Sequence, residues 1–209
     1  MDGKIFELSK NRIEALSDGI FAIVMTLLVF DLKVSELPPH ASNIELAPAI
    51  YAMWPQFFSY AVSFIGLGIY WVAHHYMYHT IRRSDTVLLW LNILFFMFIS
   101  LIPFSTSLLN KYSETQIAPL LYGLNLTLIG WALYLQWIYA ESRKDMISDI
   151  ASPLYRKSVR NRFLLIPVVA TSAMIICFWS VDILLIVYAL LMPFYMLPGG
   201  IISGRKYMS

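Results

Sequence analysis

Residues 12–30 of the chain read RIEALSDGIFAIVMTLLVF. Its unbroken apolar part runs only from Gly19 to Phe30, with Thr26 inside it, and twelve helical residues rise roughly 18 Å. The hydrocarbon layer of a bilayer is about 30 Å thick. The segment therefore crosses only if it carries Glu14, Ser17 and Asp18 to some membrane depth, or if other spans shield it from lipid. Both options point inward, because an ionisable side chain inside a membrane segment costs several kcal/mol unless it is paired or hydrated. At about 100° per residue, Ile23, Leu27 and Phe30 share one face within about 60°, joined by Leu16 and Ile20. Asp18 and Glu14 lie roughly opposite, with Ala22, Met25 and Val29. One face is wholly apolar and the other begins polar, so composition alone makes the Asp18 face the wetter one.

The rest of the 209 residues places that stretch in a membrane. Hydrophobic residues make up 59 % and charged residues 13 %, against roughly 45–50 % and 25 % in soluble domains. Mean hydropathy is +0.66. Six segments are apolar enough to span, near 13–34, 49–77, 86–109, 117–140, 162–181 and 183–202. Turn chemistry separates them: Glu36, Pro38 and Pro39 after the first, Arg82 to Asp85 after the second, Asn110 to Glu114 after the third. Asp182 alone divides the fifth from the sixth, which predicts a tight hairpin. The expected architecture is all-α, with residues 1–209 forming one six-helix transmembrane domain.

Lys and Arg set the orientation, because they are retained on the cytoplasmic side. With both termini inside, the inner segments hold Lys4, Lys10, Arg12, Arg82, Arg83, Arg143, Lys144, Arg156, Lys157, Arg160, Arg162, Arg205 and Lys206. Of the 15 basic residues only Lys33 and Lys111 fall outside. The N-terminus does not read as a cleaved signal peptide, since Asp2 and Glu7 dilute its charge and no small-residue cleavage site follows. The connection from Arg143 to Phe163 reads as a solvated basic loop or an interfacial helix. The single cysteine, Cys177, excludes an intramolecular disulfide and reads as a buried apolar side chain. Trp54 and Trp179 read as interfacial anchors.

Polar residues in the second and third spans are candidate partners for Asp18: Trp71, His74, His75 and Asn92. They serve either as interhelical glue or as a proton or ion relay. A carrier using Asp18 with His74 or His75 is one functional reading. A haem oxidoreductase is another, raised by His74, His75 and His79, but axial ligation draws on facing helices and the remaining His40 lies in an outer loop. His75 and His79 stand at i, i+4 without the Glu of a zinc hydrolase. The sequence thus predicts no enzyme, no metal and no cofactor. It also has no Thr-Val-Gly-Tyr-Gly filter, as Tyr122-Gly123 stands alone, and no arginine ladder of a voltage sensor.

Arg12, Leu16, Ser17, Asp18 and Gly19, followed by Ala22, Ile23, Thr26, Leu27 and Leu28, resemble the first helix of the transmembrane protein 175 family of potassium channels. The resemblance continues at Trp71, His74 and His75, then at Leu89, Trp90, Leu91, Asn92 and Pro103. It covers the first half of the chain, and departs from the family where Leu16 replaces the usual Phe. The resemblance implies a potassium-selective channel in a cell membrane, plasma or inner, of the bacterial homotetramer type, with potassium ions as the permeant species. It implies that the first helices surround the pore, with Ile23 as the narrowest ring and Leu27 and Phe30 continuing it. Thr26 is a further pore-helix candidate. Arg12, Ser17, Asp18, Trp71, His74, His75 and Asn92 become the polar network behind the pore wall. This implication reverses which face of the first helix is wet.

Overall fold

The computed structural model describes residues 10–34, 40–112, 114–143, 145–148 and 151–177. Seven α-helices are seen there: α1 (Lys10–Leu27), α2 (Asn43–Ala52), α3 (Trp54–Thr80), α4 (Thr86–Ser100), α5 (Ile102–Lys111), α6 (Ile117–Ser142) and α7 (Pro153–Cys177). A 3₁₀ turn, Leu28–Asp31, continues α1. Among the described residues four stretches are long and apolar enough to cross a membrane: Lys10–Asp31, Trp54–Thr80, Thr86–Lys111 and Ile117–Ser142. The termini, Lys144, the environment of Cys177, Trp179, Asp182 and the sixth expected segment lie outside the described residues.

Prolines correct two of the expected boundaries. The 49–77 segment is broken at Met53, because Pro55 has no N–H and its ring clashes with a preceding turn. Pro55 instead occupies the first turn of α3, where a missing donor costs nothing. The 86–109 segment is interrupted at Leu101 for the same reason, with Pro103 in the first turn of α5. Ser105 N–H still reaches the Leu101 carbonyl at 3.0 Å, so α4 and α5 remain one span with a bend. Asn110, expected in a turn, lies within the last turn of α5.

The connection after Arg143 is not a free loop over its whole length, because its second half is helical. Helix α7 begins at Pro153 and takes Arg156, Lys157, Arg160 and Arg162 into its first three turns before the apolar run. Ahead of it, Ile147 forms a bridge with Ile81, and Arg82 N–H donates to Met146 O at 2.7 Å while Ser148 N–H donates to Thr80 O at 3.1 Å. The corner between α3 and α4 is thereby pinned to the approach to α7.

Helix α6 is the packing centre. It lies against α4, α5 and α7, and Tyr122, Ile129, Leu133, Gln136, Trp137 and Ala140 are fully or almost fully buried. Its contact with α7 is close because residue 130 is glycine: a Cβ there would meet Ile166 Cγ2, Pro167 Cδ and Pro167 N, each at 3.2 Å. Helix α1 packs on α3 and α4 and leaves much of its circumference uncovered.

Candidate pore helix and its polar network

The face of α1 that packs against the rest of the chain is neither of the two distinguished in the sequence. Ile13, Ser17, Phe21 and Val24 are its buried residues, and Leu28 extends the stripe into the 3₁₀ turn. Spacings of four, four, three and four hold them on one side of the helix. The stripe runs between the Asp18 side and the Ile23 side, roughly a quarter turn from each. The uncovered arc starts at Asp18, passes Ala22, Ala15, Thr26 and Gly19, and ends at Phe30, Ile23, Leu16 and Leu27. Ile23 is 61 % exposed and Phe30 72 %. A Cβ added at Gly19 would meet nothing within 4 Å.

Helix α1 with its 3₁₀ turn is 22 residues long, about 35 Å at 1.5 Å per α residue and 2.0 Å per 3₁₀ residue. That is long enough to span the hydrocarbon, with Ser17 and Asp18 inside the helix. Ser17 is buried, and its Oγ lies 3.2 Å from His74 Nδ1. His74 Nε2 lies 2.8 Å from Asn92 Oδ1. Because the Asn92 oxygen only accepts, Nε2–H donates to it, and Nδ1 then accepts from the Ser17 hydroxyl. Both ring nitrogens are thus engaged, which leaves neither for a haem iron or a metal. The ring is enclosed by Tyr78 at 4.5 Å, Phe95 at 5.3 Å, Phe96 at 5.7 Å and Phe21 at 6.5 Å between centroids.

Of the four candidate partners for Asp18, Trp71 is the one that hydrogen-bonds it. Asp18 Oδ1 accepts from Trp71 Nε1 at 2.8 Å, and Trp71 stacks on His75 at 5.9 Å. Three helices therefore meet through two neighbouring side chains of α1, with Ser17 reaching inward and Asp18 reaching along the subunit's edge. Arg12 is exposed, more than one turn before this network. Thr26 is exposed too, but its hydroxyl lies within reach of its own helix, 3.0 Å from Ala22 O and 2.8 Å from Ile23 O.

A second polar knot, at the opposite end of α1, is absent from the sequence reading. Asn110 Nδ2 donates to Asp31 Oδ2, and Ser59 Oγ donates to Asn110 Oδ1. Ser59 also lies 3.0 Å from Gln56 O, while Gln56 Oε1 accepts from Lys33 N–H at 3.4 Å. Farther in, Ser63 meets Thr106 at 2.8 Å and Tyr122 at 3.0 Å, and Asn125 Nδ2 donates to Ser105 Oγ at 3.2 Å. The available signal was a polar residue every fourth position, Ser59 and Ser63 on α3 and Thr106 and Asn110 on α5. Their partners are 43 to 79 residues away in sequence, beyond the reach of any periodicity argument.

Residues 12–103, which hold α1, the Ser17–His74–Asn92 contact and the start of α5, match the model of the family described as the endosomal/lysosomal potassium channel TMEM175. A Streptomyces collinus protein named as a potassium channel is 32% identical over 158 residues, 74% of this chain and 75% of that protein. The chain belongs to the TMEM175 family. The crystal structure of a lysosomal potassium-selective channel TMEM175 homolog from Chamaesiphon minutus superimposes with a TM-score of 0.77 at 26% identity, over 89% of this chain and 95% of that one. The mouse protein named as the endosomal/lysosomal proton channel TMEM175 is 39% identical over 101 residues, 46% of this chain but only 20% of its own length. The TMEM175 family is one of ion channels, so this multi-pass membrane protein is not an enzyme.

Proposed function

We propose that four copies of the chain assemble around a central axis and conduct potassium passively between their α1 helices. The observation that carries this reading is the uncovered arc of α1. Lipid would accept Ile23, Leu27 and Phe30, but the neighbouring arc exposes Asp18 and Thr26. Other copies of the chain shield those groups, and the open space at Gly19 admits close helix approach. On this reading Asp18 and Trp71 lie at the seam between subunits, and Ile23, Leu27 and Phe30 form successive apolar rings with Thr26 beside them. Arg12, Ser17, His74, His75 and Asn92 support the wall from behind. The distribution of Lys and Arg supports cytoplasmic termini, and on this reading the protein sits in the cell membrane, plasma or inner.

An apolar ring offers no replacement ligands, so discrimination rests on dehydration, and potassium sheds water more cheaply than sodium. Flux of the two ions through protein reconstituted in liposomes tests the reading. Fast, potassium-preferring flux is expected, and Ile23→Asn raises conductance while lowering the preference. Unchanged selectivity in that variant counts against Ile23 as the constriction.

The name of the mouse relative favours a second reading, a proton pathway or proton-coupled carrier using Asp18 with His74 and His75. Collapse of an imposed pH gradient by the same liposomes separates it, through strict coupling of proton to cation movement and its loss in Asp18→Asn.

A further inference from the structure

The last turn of α1 has a different winding from the rest. Leu27 is still α-helical, at φ −64° and ψ −26°, and Leu28–Asp31 then form a 3₁₀ turn before Leu32 becomes extended at φ −77° and ψ 94°. A 3₁₀ turn advances 120° and 2.0 Å per residue, against 100° and 1.5 Å in an α-helix. Over the three residues from Leu27 to Phe30 the difference accumulates to about 60° around the axis and about 1.5 Å along it. Phe30, 72 % exposed, therefore points in a direction that depends on which winding prevails. Thr26 prepares the change, because a hydroxyl bonded back to its own helix loosens and bends it.

Two features hold the turn. Leu28, 1 % exposed, anchors it in the core. Asp31, its final residue, accepts from the Asn110 amide, whose oxygen in turn accepts from Ser59. Asn110 belongs to α5 and Ser59 to α3, so both sides of one amide join three helices at the end of the turn. We propose that the Asp31–Asn110–Ser59 knot holds the outer turn of α1 in its 3₁₀ winding and so sets the angular position of Phe30, which makes these three positioning residues for the outer pore ring. This rests on reading α1 as the pore helix. Breaking the knot lets the turn relax toward α winding, which rotates Phe30 and changes the width of its ring.

The test places Phe30→Cys in a Cys177→Ala background, so that residue 30 holds the sole thiol, and follows its modification by a charged, water-borne thiol reagent in reconstituted full-length protein. Potassium and sodium permeation are recorded alongside. Asn110→Ala removes both bonds and is expected to shift the modification rate about threefold or more, with a changed permeability ratio. Ser59→Ala removes one bond and shifts both in the same direction by less. It carries the test if Asn110→Ala fails to assemble. Asp31→Asn keeps an acceptor oxygen for Asn110 and removes only the charge, so it retains the parental rate and ratio. A parental rate in the Asn110 or Ser59 variant overturns the proposal, as does an Asp31→Asn effect as large as that of Asn110→Ala, which would assign the role to charge. If modification of Phe30→Cys leaves the current untouched in the parent, the reading of α1 as pore helix fails instead.

Discussion

His74 is the residue on which the inner half of α1 depends, because it joins Ser17 of α1 to Asn92 of α4 through two ring nitrogens inside a cage of aromatic rings. The two bonds differ in what their loss strands, a ring nitrogen that accepts in one case and an N–H donor in the other, and an orphaned donor is the less tolerated. Ser17→Ala leaves Nδ1 without its donor and is expected to lower stability by about 1 kcal/mol, the usual size of a polar contact between membrane helices. Asn92→Leu strands the Nε2–H group in an apolar cage and is expected to cost about 2 kcal/mol. Thermal unfolding of the purified protein in detergent checks the order, and equal effects would mean that the cage relaxes around the ring. The participants were legible in the sequence, since polar residues in apolar spans demand a reason. Their pairing was not. Ser17 and Asp18 are adjacent and equally able to meet an imidazole, and only the rotation of α1 about its axis decides that Ser17 takes His74 while Asp18 takes Trp71.

At the scale of helices, contact distance and proline placement dominate. The α6–α7 contact closes to the backbone of Pro167 at Gly130. Gly130→Ala forces a shift of a few tenths of an ångström, and Gly130→Leu is expected to destabilise by about 1–3 kcal/mol through overpacking. A melting series across Gly, Ala and Leu measures this, with a flat series showing that α7 moves freely. Helix α2 carries a pH response of its own. Glu45 Oε2 accepts from Ser42 N–H at 2.8 Å and from its hydroxyl at 2.9 Å, and the backbone donor first, then the hydroxyl, holds the Glu45 carboxyl below its ordinary value. A lowered folded pKa makes this Ser42–Glu45 cap of α2 fully effective above the ordinary carboxylate value of 4.5, with the contribution lost as pH falls through the folded value. Amide exchange at the start of α2 should therefore accelerate on acidification, and Glu45→Gln should flatten that response. The spans themselves were legible from hydropathy. The breaks at Met53 and Leu101 were not placed, although Pro55 and Pro103 were visible, because a proline in a membrane span is tolerated often enough that hydropathy runs straight across it.

The whole molecule poses the question of what covers α1. Native mass measurement in detergent should give about four times 24.0 kDa if the uncovered arc is an interface between copies. A monomer that still conducts would require a path inside one subunit and would remove the argument from Asp18 exposure. The membrane character of the chain and the basic asymmetry of its connections were plain in composition. The packed stripe of α1 was not, because in a helix where nearly every residue is apolar, hydrophobicity no longer distinguishes inside from outside. Placement does: Phe21 and Leu28 are buried where α1 and its 3₁₀ turn meet α3, α4 and α5, and Ile23 and Phe30 are exposed.

That stripe has an evolutionary corollary. The five side chains that seat α1 in its subunit, Ile13, Ser17, Phe21, Val24 and Leu28, occupy an arc that contains none of the candidate ring positions. On the reading of α1 as the pore helix, folding and permeation are therefore inscribed on separate sides of one helix. On the same reading, substitutions at Ile23, Leu27 and Phe30 are expected to alter what an ion meets while leaving the packing of α1 within the chain nearly untouched. A lineage with this architecture can retune its selectivity by single exchanges without first having to acquire spare stability, and libraries randomised at those three positions should yield mostly folded protein.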